Sequence, residues 1–203
     1  VGSWAARAAV TAGARVTVLD IDTDKLRRVL EHLPNAATAL AEPESIAAAL
    51  AAADVAIGAV YIAGSRTPHI VTKEMVEAMR PGSVVIDVAI DQGGCFETSR
   101  PTTLAQPTYL YKGIVHYCVP NLTADMGRST SIAVAQAMLP YLTRMADEGF
   151  ASAMRTCPEL GRAVYTCDGK CVNERLAAAW KAEYTPLEEC LNGYCTHRSV
   201  VPS

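Results

Sequence analysis

An acid, an amide and two glycines follow one of the most apolar stretches of the chain. The stretch Val84–Ile90 is rich in β-branched residues, and Asp91, Gln92, Gly93 and Gly94 come directly after it. Such a run is typical of a strand that is buried on both faces of a parallel sheet. Glycines let backbone pass close to a ligand, and ligands of open α/β sheets bind at the carboxyl ends of strands. We therefore expect Asp91 and Gln92 to face a binding site. The alternative is a strand followed by an ordinary tight turn.

A second acid, Asp20, ends a short apolar segment, and Gly2 precedes it at a spacing that suits a glycine turn, a helix and a strand. In dinucleotide-binding folds, an acid at the end of the second strand accepts hydrogen bonds from a ribose diol and repels a 2′-phosphate. Of the usual Gly-x-Gly-x-x-Gly fingerprint, Gly2 can supply only the last glycine. Two interpretations stay open: a nucleotide site, or a terminal glycine and a helix-capping acid.

Three further residues lie where a nucleotide sheet contacts its ligand. Val60 and Tyr61 follow a buried segment, at a position where apolar residues touch ribose and nicotinamide, and Asn121 follows the segment 114–119. An asparagine side chain can both donate to and accept from a carboxamide. An ordinary loop and a turn residue after Pro120 remain the alternatives. His116 lies inside a strand-like segment, and we expect it to be a core residue rather than a catalyst.

Predicted strands and helices alternate through most of the chain, which indicates βαβ units and a parallel sheet. Asp22 or Thr23 is expected to cap the second helix, and Ser129 or Thr130 the long one. The tail 192–203 has no clear periodicity and is expected to be disordered. Strands are predicted at 15–20, 36–40, 54–60, 84–90 and 114–119, and helices at 4–10, 23–33, 44–52, 72–79, 129–148 and 172–184.

Composition narrows the class of protein. The 203 residues are 50% hydrophobic with a net charge of −3, which suits one large domain or one domain with an appendage. Since no cluster of lysine and arginine occurs, the charge pattern argues against a nucleic-acid partner. The weakly charged stretch 46–64 is better explained by a helix and a buried strand than by a membrane span. Seven cysteines without regular spacing predict free thiols in a cytosolic protein, and no metal site is expected.

Several segments of the chain resemble bacterial alanine dehydrogenase, of the alanine dehydrogenase and pyridine nucleotide transhydrogenase family. They are Val16–Asp20, Ala53–Val60, and Ala89–Glu97 with Ser99–Thr103 after it. Their order and spacing are similar over residues 1 to about 191. The Asp-Gln-Gly-Gly signature favours the dehydrogenase, because the transhydrogenases usually replace its first acid.

The resemblance implies NAD-dependent oxidative deamination of L-alanine to pyruvate and ammonia, in either direction. It implies that Asp20 holds the adenosine ribose, that Lys25 meets the adenosine side, and that Asp91 acts beside the nicotinamide and the reacting centre. No metal is implied. The residues that it implies for cofactor binding are Gly2, Asp20, Lys25, Val60, Tyr61, Ile90 and Asn121.

The implied fold is α/β, a Rossmann-like doubly wound parallel sheet that lacks its first strand, with carboxyl-terminal helices that belong to a missing substrate domain. Expected boundaries are 1–128 for the NAD(H)-binding domain, 129–191 for the connecting helix and the end of the substrate domain, and 192–203 for an unassigned tail. In the family, the substrate-binding arginine and lysine and the acid/base histidine lie in an amino-terminal domain. Binding of L-alanine or pyruvate is therefore expected only with that domain, and this chain alone is expected to be inactive. The resemblance also implies a cytoplasmic homo-oligomer, with no nucleic-acid or membrane partner, for the full-length enzyme.

Two other functions are compatible with this pattern. The first is a transhydrogenase-like NAD(H)-binding module without amino-acid dehydrogenase activity. The second is a methyltransferase, since that fold also alternates strands with helices and places an acid at the end of its second strand. The Asp-Gln-Gly-Gly signature favours the nucleotide dehydrogenase group over the methyltransferase.

Overall fold

In the computed structural model of the chain, the described residues are 1–62 and 65–197, without the side chains of Asp125 and of residues 193–197. The chain divides into two compact units, Val1–Leu122 and Thr123–Ser203. In the first unit the helices are α1 (Gly2–Thr11), α2 (Thr23–His32), α3 (Pro43–Ala52) and α4 (Lys73–Glu77), and the strands are β1 (Thr17–Asp20), β2 (Ala37–Leu40), β3 (Val55–Gly58), β4 (Val84–Asp87), β5 (Thr108–Tyr111) and β6 (Ile114–Tyr117). In the second unit the helices are α5 (Gly127–Glu148), α6 (Phe150–Thr156), α7 (Pro158–Ala163), α8 (Glu174–Trp180) and α9 (Leu187–His197), and a short hairpin is formed by β7 (Thr166–Cys167) and β8 (Lys170–Cys171).

The first unit is a mixed α/β fold with parallel strands, as predicted. Strand β1 pairs in parallel with β2, and a second sheet has the order β3-β4-β6-β5. Strands β3, β4 and β6 are parallel to one another. Among the described residues, β1 and β3 each have a paired neighbour on one side only. This order is that of a Rossmann-like doubly wound sheet with an interruption between β1 and β3.

Helices that connect the strands bury apolar side chains against the sheet. Ile46 and Leu50 on α3 and Val76 on α4 pack with Val85 and Ile114 of the central strands. This burial is the main favourable term that holds the layers together, at roughly 25 cal/mol per Å² of apolar area removed from water. A smaller cluster, with Ala6, Leu33 and Ala36 at its centre, packs α1 and the end of α2 against β1.

Strand β4 ends at Asp87 rather than at Ile90, which corrects the prediction of an unbroken strand to Ile90. Residues Ile90–Gln92 form a 3-10 turn. The apolar run continues, but the Asp87 carboxylate accepts the Ala89 N–H at 3.0 Å and turns the chain out of the sheet. Strand propensity is therefore overridden by a side-chain to backbone hydrogen bond.

The antiparallel edge strand β5 was not predicted. It is joined to β6 by Lys112 and Gly113, whose φ angles are 47° and 84°. Positive φ at both central residues is the requirement of the two-residue type I′ hairpin. A lysine in the first of these positions conceals that signal in the sequence.

In the second unit, α5 begins at Gly127, and the expectation that Ser129 or Thr130 caps it was wrong. The Thr130 hydroxyl instead donates to the Thr123 carbonyl at 3.2 Å.

Helix α8 is shorter than the predicted helix at 172–184, because the hairpin β7–β8 and an irregular segment flank it. The expected disorder of the tail was wrong for residues 192–197, which lie in α9, while residues 198–203 lie outside the described part. No helix within the described residues has both the length and the apolar character to cross a membrane.

Candidate functional site

The carboxyl ends of β3, β4 and β6 lie side by side at one edge of the sheet. In the strand register, Gly58 of β3 stands opposite Asp87 of β4, and Ile86 stands opposite Tyr117 of β6. Loops that leave this edge carry several of the sequence-predicted site residues. Because parallel α/β sheets bind ligands at this edge, it is the candidate site.

Asp91 and Asn121, predicted from separate segments, are in direct contact here. The two carboxylate oxygens of Asp91 accept the Asn121 backbone N–H at 2.9 and 3.2 Å. Asn121 has a φ of 50°, in the left-handed region that asparagine tolerates better than most residues. The contact joins the turn after β4 to the loop after β6. Both residues are exposed, so a ligand at this edge can reach the carboxylate and the carboxamide.

Gln92 is placed differently from Asp91. Its carbonyl accepts the Thr67 N–H at 2.9 Å, and its side-chain Oε1 accepts the Thr67 hydroxyl at 3.5 Å. Gly93, with a φ of 103°, has the Arg66 side chain against it, since an added Cβ would lie 2.6 Å from Arg66 Nε. Gln92 therefore joins the turn after β4 to the loop after β3. Ile90 is only 4% exposed, which leaves its backbone as the part that a ligand could touch.

The end of β1 holds a carboxylate and an ammonium together. Asp20 Oδ1 accepts the Asp22 N–H at 3.0 Å and lies 3.7 Å from Lys25 Nζ. Asp22, and not Asp20, caps α2, because its side chain accepts the N–H groups of Asp24 and Lys25. The helix-capping alternative for Asp20 is thereby excluded. Its carboxylate stays one-third exposed at the carboxyl end of a parallel strand.

Gly2 and the residues after β3 lie close to one another. A Cβ added to Gly2 would stand 3.6 Å from Ala59 Cβ, an ordinary van der Waals contact. The start of α1 therefore adjoins the carboxyl end of β3, although space alone does not require glycine there. Val60 packs against the core, whereas the Tyr61 side chain is 70% exposed.

Asp87 is the residue of this edge that sequence reasoning missed. It is 2% exposed, and its carboxylate accepts the N–H groups of Ala89 at 3.0 Å, Cys95 at 2.9 Å and Phe96 at 3.4 Å. A buried carboxylate is costly unless hydrogen bonds compensate it, and here they are supplied by the turn that carries Asp91. The signal available in the sequence was an acidic residue inside a run of β-branched residues, where an acid is unusual unless it has hydrogen-bond partners.

His116 is a core residue, as expected. It is fully buried, with its Nε2 at 2.8 Å from the Thr98 hydroxyl oxygen and its ring stacked on Tyr109 at 5.0 Å between centroids. Burial lowers the pKa of the His116 imidazole, which favours the neutral form. The Arg100 guanidinium lies 4.1 Å from the Tyr109 ring centre and covers this network. Among the described side chains, which do not include those of Asp125 and residues 193–197, no group of three or more histidine, cysteine or acidic residues is arranged to hold a metal ion.

Comparison with known proteins identifies the family. The family model described as "Alanine dehydrogenase/PNT, C-terminal domain" matches residues 1–174. The chain belongs to this family. It is 40% identical over 185 residues to alanine dehydrogenase of Halomonas elongata, and 41% identical over 194 residues to that of Methanococcus maripaludis. These alignments cover 91% and 95% of this chain but 50% and 52% of the relatives, so the chain spans about half of their length.

Solved structures in the same family have the same fold. An L-alanine dehydrogenase structure superimposes with a TM-score of 0.79 at 35% identity, covering 89% of this chain and 50% of that one. A transhydrogenase from Sinorhizobium meliloti gives a TM-score of 0.66 at 25% identity, covering 85% and 46%. This member of the alanine dehydrogenase/PNT family therefore has the Rossmann-like fold that its parallel strands predicted.

Proposed function

We propose that this chain is the NAD(H)-binding portion of an NAD-dependent alanine dehydrogenase, which interconverts L-alanine with pyruvate and ammonia. The observation that carries the proposal is the contact of Asp91 with Asn121 at the carboxyl edge of the sheet. It joins the exposed Asp91 carboxylate to the Asn121 backbone N–H, between the ends of β4 and β6. The names of the relatives support the same activity.

The residues present fit a dinucleotide. Within the described part of the chain, both contacts of the Asp20 carboxylate fall on Oδ1, so Oδ2 is left to accept from a ribose hydroxyl. Asp20 is the last residue of the parallel strand β1, and folds of this kind bind the adenosine ribose at that position. Val60 and Tyr61 follow β3 and offer backbone and an exposed ring to the other half of the molecule. The two carboxylates would thus serve opposite ends of one extended ligand.

Each residue then has a defined task in the reaction. NAD⁺, when bound, supplies the acceptor for the hydride that leaves the substrate Cα. Asp20 holds the ribose, and the Asn121 carboxamide orients the nicotinamide-side amide by donating and accepting. With the substrate bound beside the nicotinamide, the negative charge of Asp91 would lie near the substrate Cα and would stabilise the positive charge of the iminium ion that forms as hydride leaves. The Asp91 contact with the Asn121 N–H keeps that carboxylate in place, and among the described residues Asp91 forms no ion pair.

Two of the described histidines, His116 and His32, are held in other contacts. His116 is buried against Thr98, and His32 binds the Arg28 carbonyl on α2. Oxidation of an amino acid needs a group that takes a proton within hydrogen-bond distance of the substrate. We expect the isolated chain to bind NADH, with enhanced nicotinamide fluorescence, and to give no NADH formation above background with L-alanine and NAD⁺. Clear turnover by the purified chain would overturn the assignment of catalysis to a further domain.

A chimera tests the activity itself. Residues 1–203 would replace the matched half of the Halomonas elongata alanine dehydrogenase, and oxidation of NADH with pyruvate and ammonium would be followed by absorbance. The proposal predicts turnover that disappears in the chimera carrying Asp91→Ala.

The second candidate function, a transhydrogenase-like NAD(H) module, is favoured by the Sinorhizobium meliloti structure. It predicts a folded chimera that binds NADH and does not respond to pyruvate and ammonium.

We also propose that full activity requires association with further protein, both a substrate-binding domain and other copies of the enzyme. Helix α5 supports this, because none of its side chains is buried in the described structure. Ile132, Val134, Met138 and Leu139 are each about half exposed or more. An apolar stripe of this kind marks a protein contact. In the chimera, we expect backbone amides of α5 to exchange with deuterium more slowly than in the isolated chain; equal exchange rates would remove α5 from the interface.

A further inference from the structure

The Cys95 thiol lies at the junction of three segments of the candidate site. Its side chain is 1% exposed and lies beneath the last residue of β3, where a Cβ on Gly58 would overlap the sulfur. The Sγ atom is 3.6 Å from Asp87 Oδ1, to which the thiol donates. Val60, two residues beyond Gly58, packs against the core cluster that contains Cys95. One side chain therefore connects the end of β4, the turn after it and the end of β3.

The surroundings of Cys95, including its partner Asp87, keep the Cys95 thiol protonated, the form that can donate a hydrogen bond. Burial, followed by the charge of Asp87, raises the pKa of the Cys95 thiol well above its ordinary value. A protonated thiol can donate a hydrogen bond to Asp87, as the 3.6 Å contact requires, and a thiolate cannot. A thiolate in this place would face the negative charge of the Asp87 carboxylate at 3.6 Å. Cys95 is therefore unsuited to act as a nucleophile and well suited to hold two backbone segments at a fixed separation.

The second member of the pair, Asp87, contacts the turn that carries Asp91. The carboxylate accepts N–H groups at both ends of this turn, from Ala89 and from Cys95 and Phe96. Gly94 completes the packing, since an added Cβ would lie 2.7 Å from Asp87 Oδ2. The turn therefore closes around this carboxylate, and Asp91 projects from the middle of it.

We propose that Asp87 and Cys95 are positioning residues that set the distance between the end of β3 and Asp91, and so shape the nicotinamide half of the site. This inference rests on the proposed function, because it assigns the nicotinamide half of NAD(H) to the turn after β4 and the adenosine half to the end of β1. The adenosine half, at Asp20 on β1, has no contact with the pair in the described structure. The pair is therefore predicted to affect the two halves unequally.

The experiment compares NADH with ADP, which lacks the nicotinamide half, on the whole 203-residue chain. Cys95→Ala is expected to weaken NADH binding at least tenfold by fluorescence titration and to change the Kd for ADP less than twofold by calorimetry. Cys95→Ser, whose hydroxyl can both donate and accept but with a shorter reach, is expected to weaken NADH binding three- to fivefold, again with ADP unchanged. The control is Cys190→Ala, a buried thiol of the second unit that donates to the Cys167 carbonyl, and it is expected to leave both Kd values within twofold.

A purely structural role would lower the affinities for NADH and ADP together, and that result would overturn the inference. NADH binding by Cys95→Ala within twofold of the unmodified chain would overturn it as well. If Cys95→Ala does not fold, Cys95→Ser decides by the same comparison of NADH with ADP. Absence of NADH binding by the unmodified chain would instead refute the proposed function and, with it, this inference. Measuring NADH binding by the unmodified chain therefore distinguishes failure of the proposed function from failure of this inference.

Discussion

Replacing Gly58 by alanine is expected to cost the first unit about 3 kcal/mol of its free energy of unfolding. Gly58 ends β3, and its backbone would accept alanine, because its φ is not among the positive values. The obstacle is space: a Cβ would overlap Cys95 Sγ and would lie 2.5 Å from Phe96 Cε2. Both neighbours are almost fully buried, at 1% and 2% exposure, so neither can move without displacing other core atoms.

Urea unfolding followed by circular dichroism measures this effect. Gly127→Ala is the matched control, since nothing lies within 4 Å of a Cβ at that position at the start of α5. Its stability is expected to stay the same or rise by less than about 1 kcal/mol, in line with the higher helix propensity of alanine. The Gly58 variant should also lose NADH affinity, because its displaced neighbours shape the turn at Asp91. A Gly58→Ala chain within about 0.5 kcal/mol of the unmodified one would show that this junction is not tightly packed.

Replacing Asp20 by alanine is expected to raise the Kd for NADH roughly 10- to 100-fold, the range for loss of hydrogen bonds to a charged group. The same change is expected to reduce discrimination against NADPH. Lys25 Nζ lies 3.7 Å from Asp20 Oδ1, and without the carboxylate its charge is available to a 2′-phosphate. Two opposite effects on the two cofactors therefore follow from one substitution.

Fluorescence titrations with NADH and NADPH test this prediction. Asp24→Ala is the control, because it removes the same charge from the adjacent turn of α2 while its side chain pairs only with Arg27 among the described residues. Its Kd for NADH is expected to stay within twofold of that of the unmodified chain. Unchanged NADH affinity in the Asp20→Ala chain would mean that the carboxylate does not hold the ribose. A doubly substituted chain, with Lys25→Ala added, should lose whatever NADPH affinity the first change gains.

Local signals predicted the first unit well. Asp22 caps α2, Pro43 opens α3 and Gly13, with a φ of 85°, follows α1, and each of these residues acts through its own backbone geometry. The parallel order of the strands also followed from their alternation with helices. These features depend on neighbours in sequence, so a sequence carries them directly.

Features that depend on distant contacts were missed or misplaced. The end of β4 is set by Asp87, whose partners include Cys95 and Phe96 on the far side of the turn. The place of Gln92 is set by Thr67 from another loop. In the second unit, α9 buries Leu191 and Cys190 against other elements of that unit, which a weakly periodic segment does not reveal. Tertiary packing decides such elements, and propensity alone does not.

The most direct test of the account is a crystal structure of this chain with NADH. We predict adenosine ribose hydroxyls within hydrogen-bond distance of the Asp20 carboxylate and a nicotinamide ring beside Asp91 and Asn121, with the backbone of Val60 along the path between them. A dinucleotide bound with its ribose away from Asp20, or with its nicotinamide away from the turn after β4, would contradict the account.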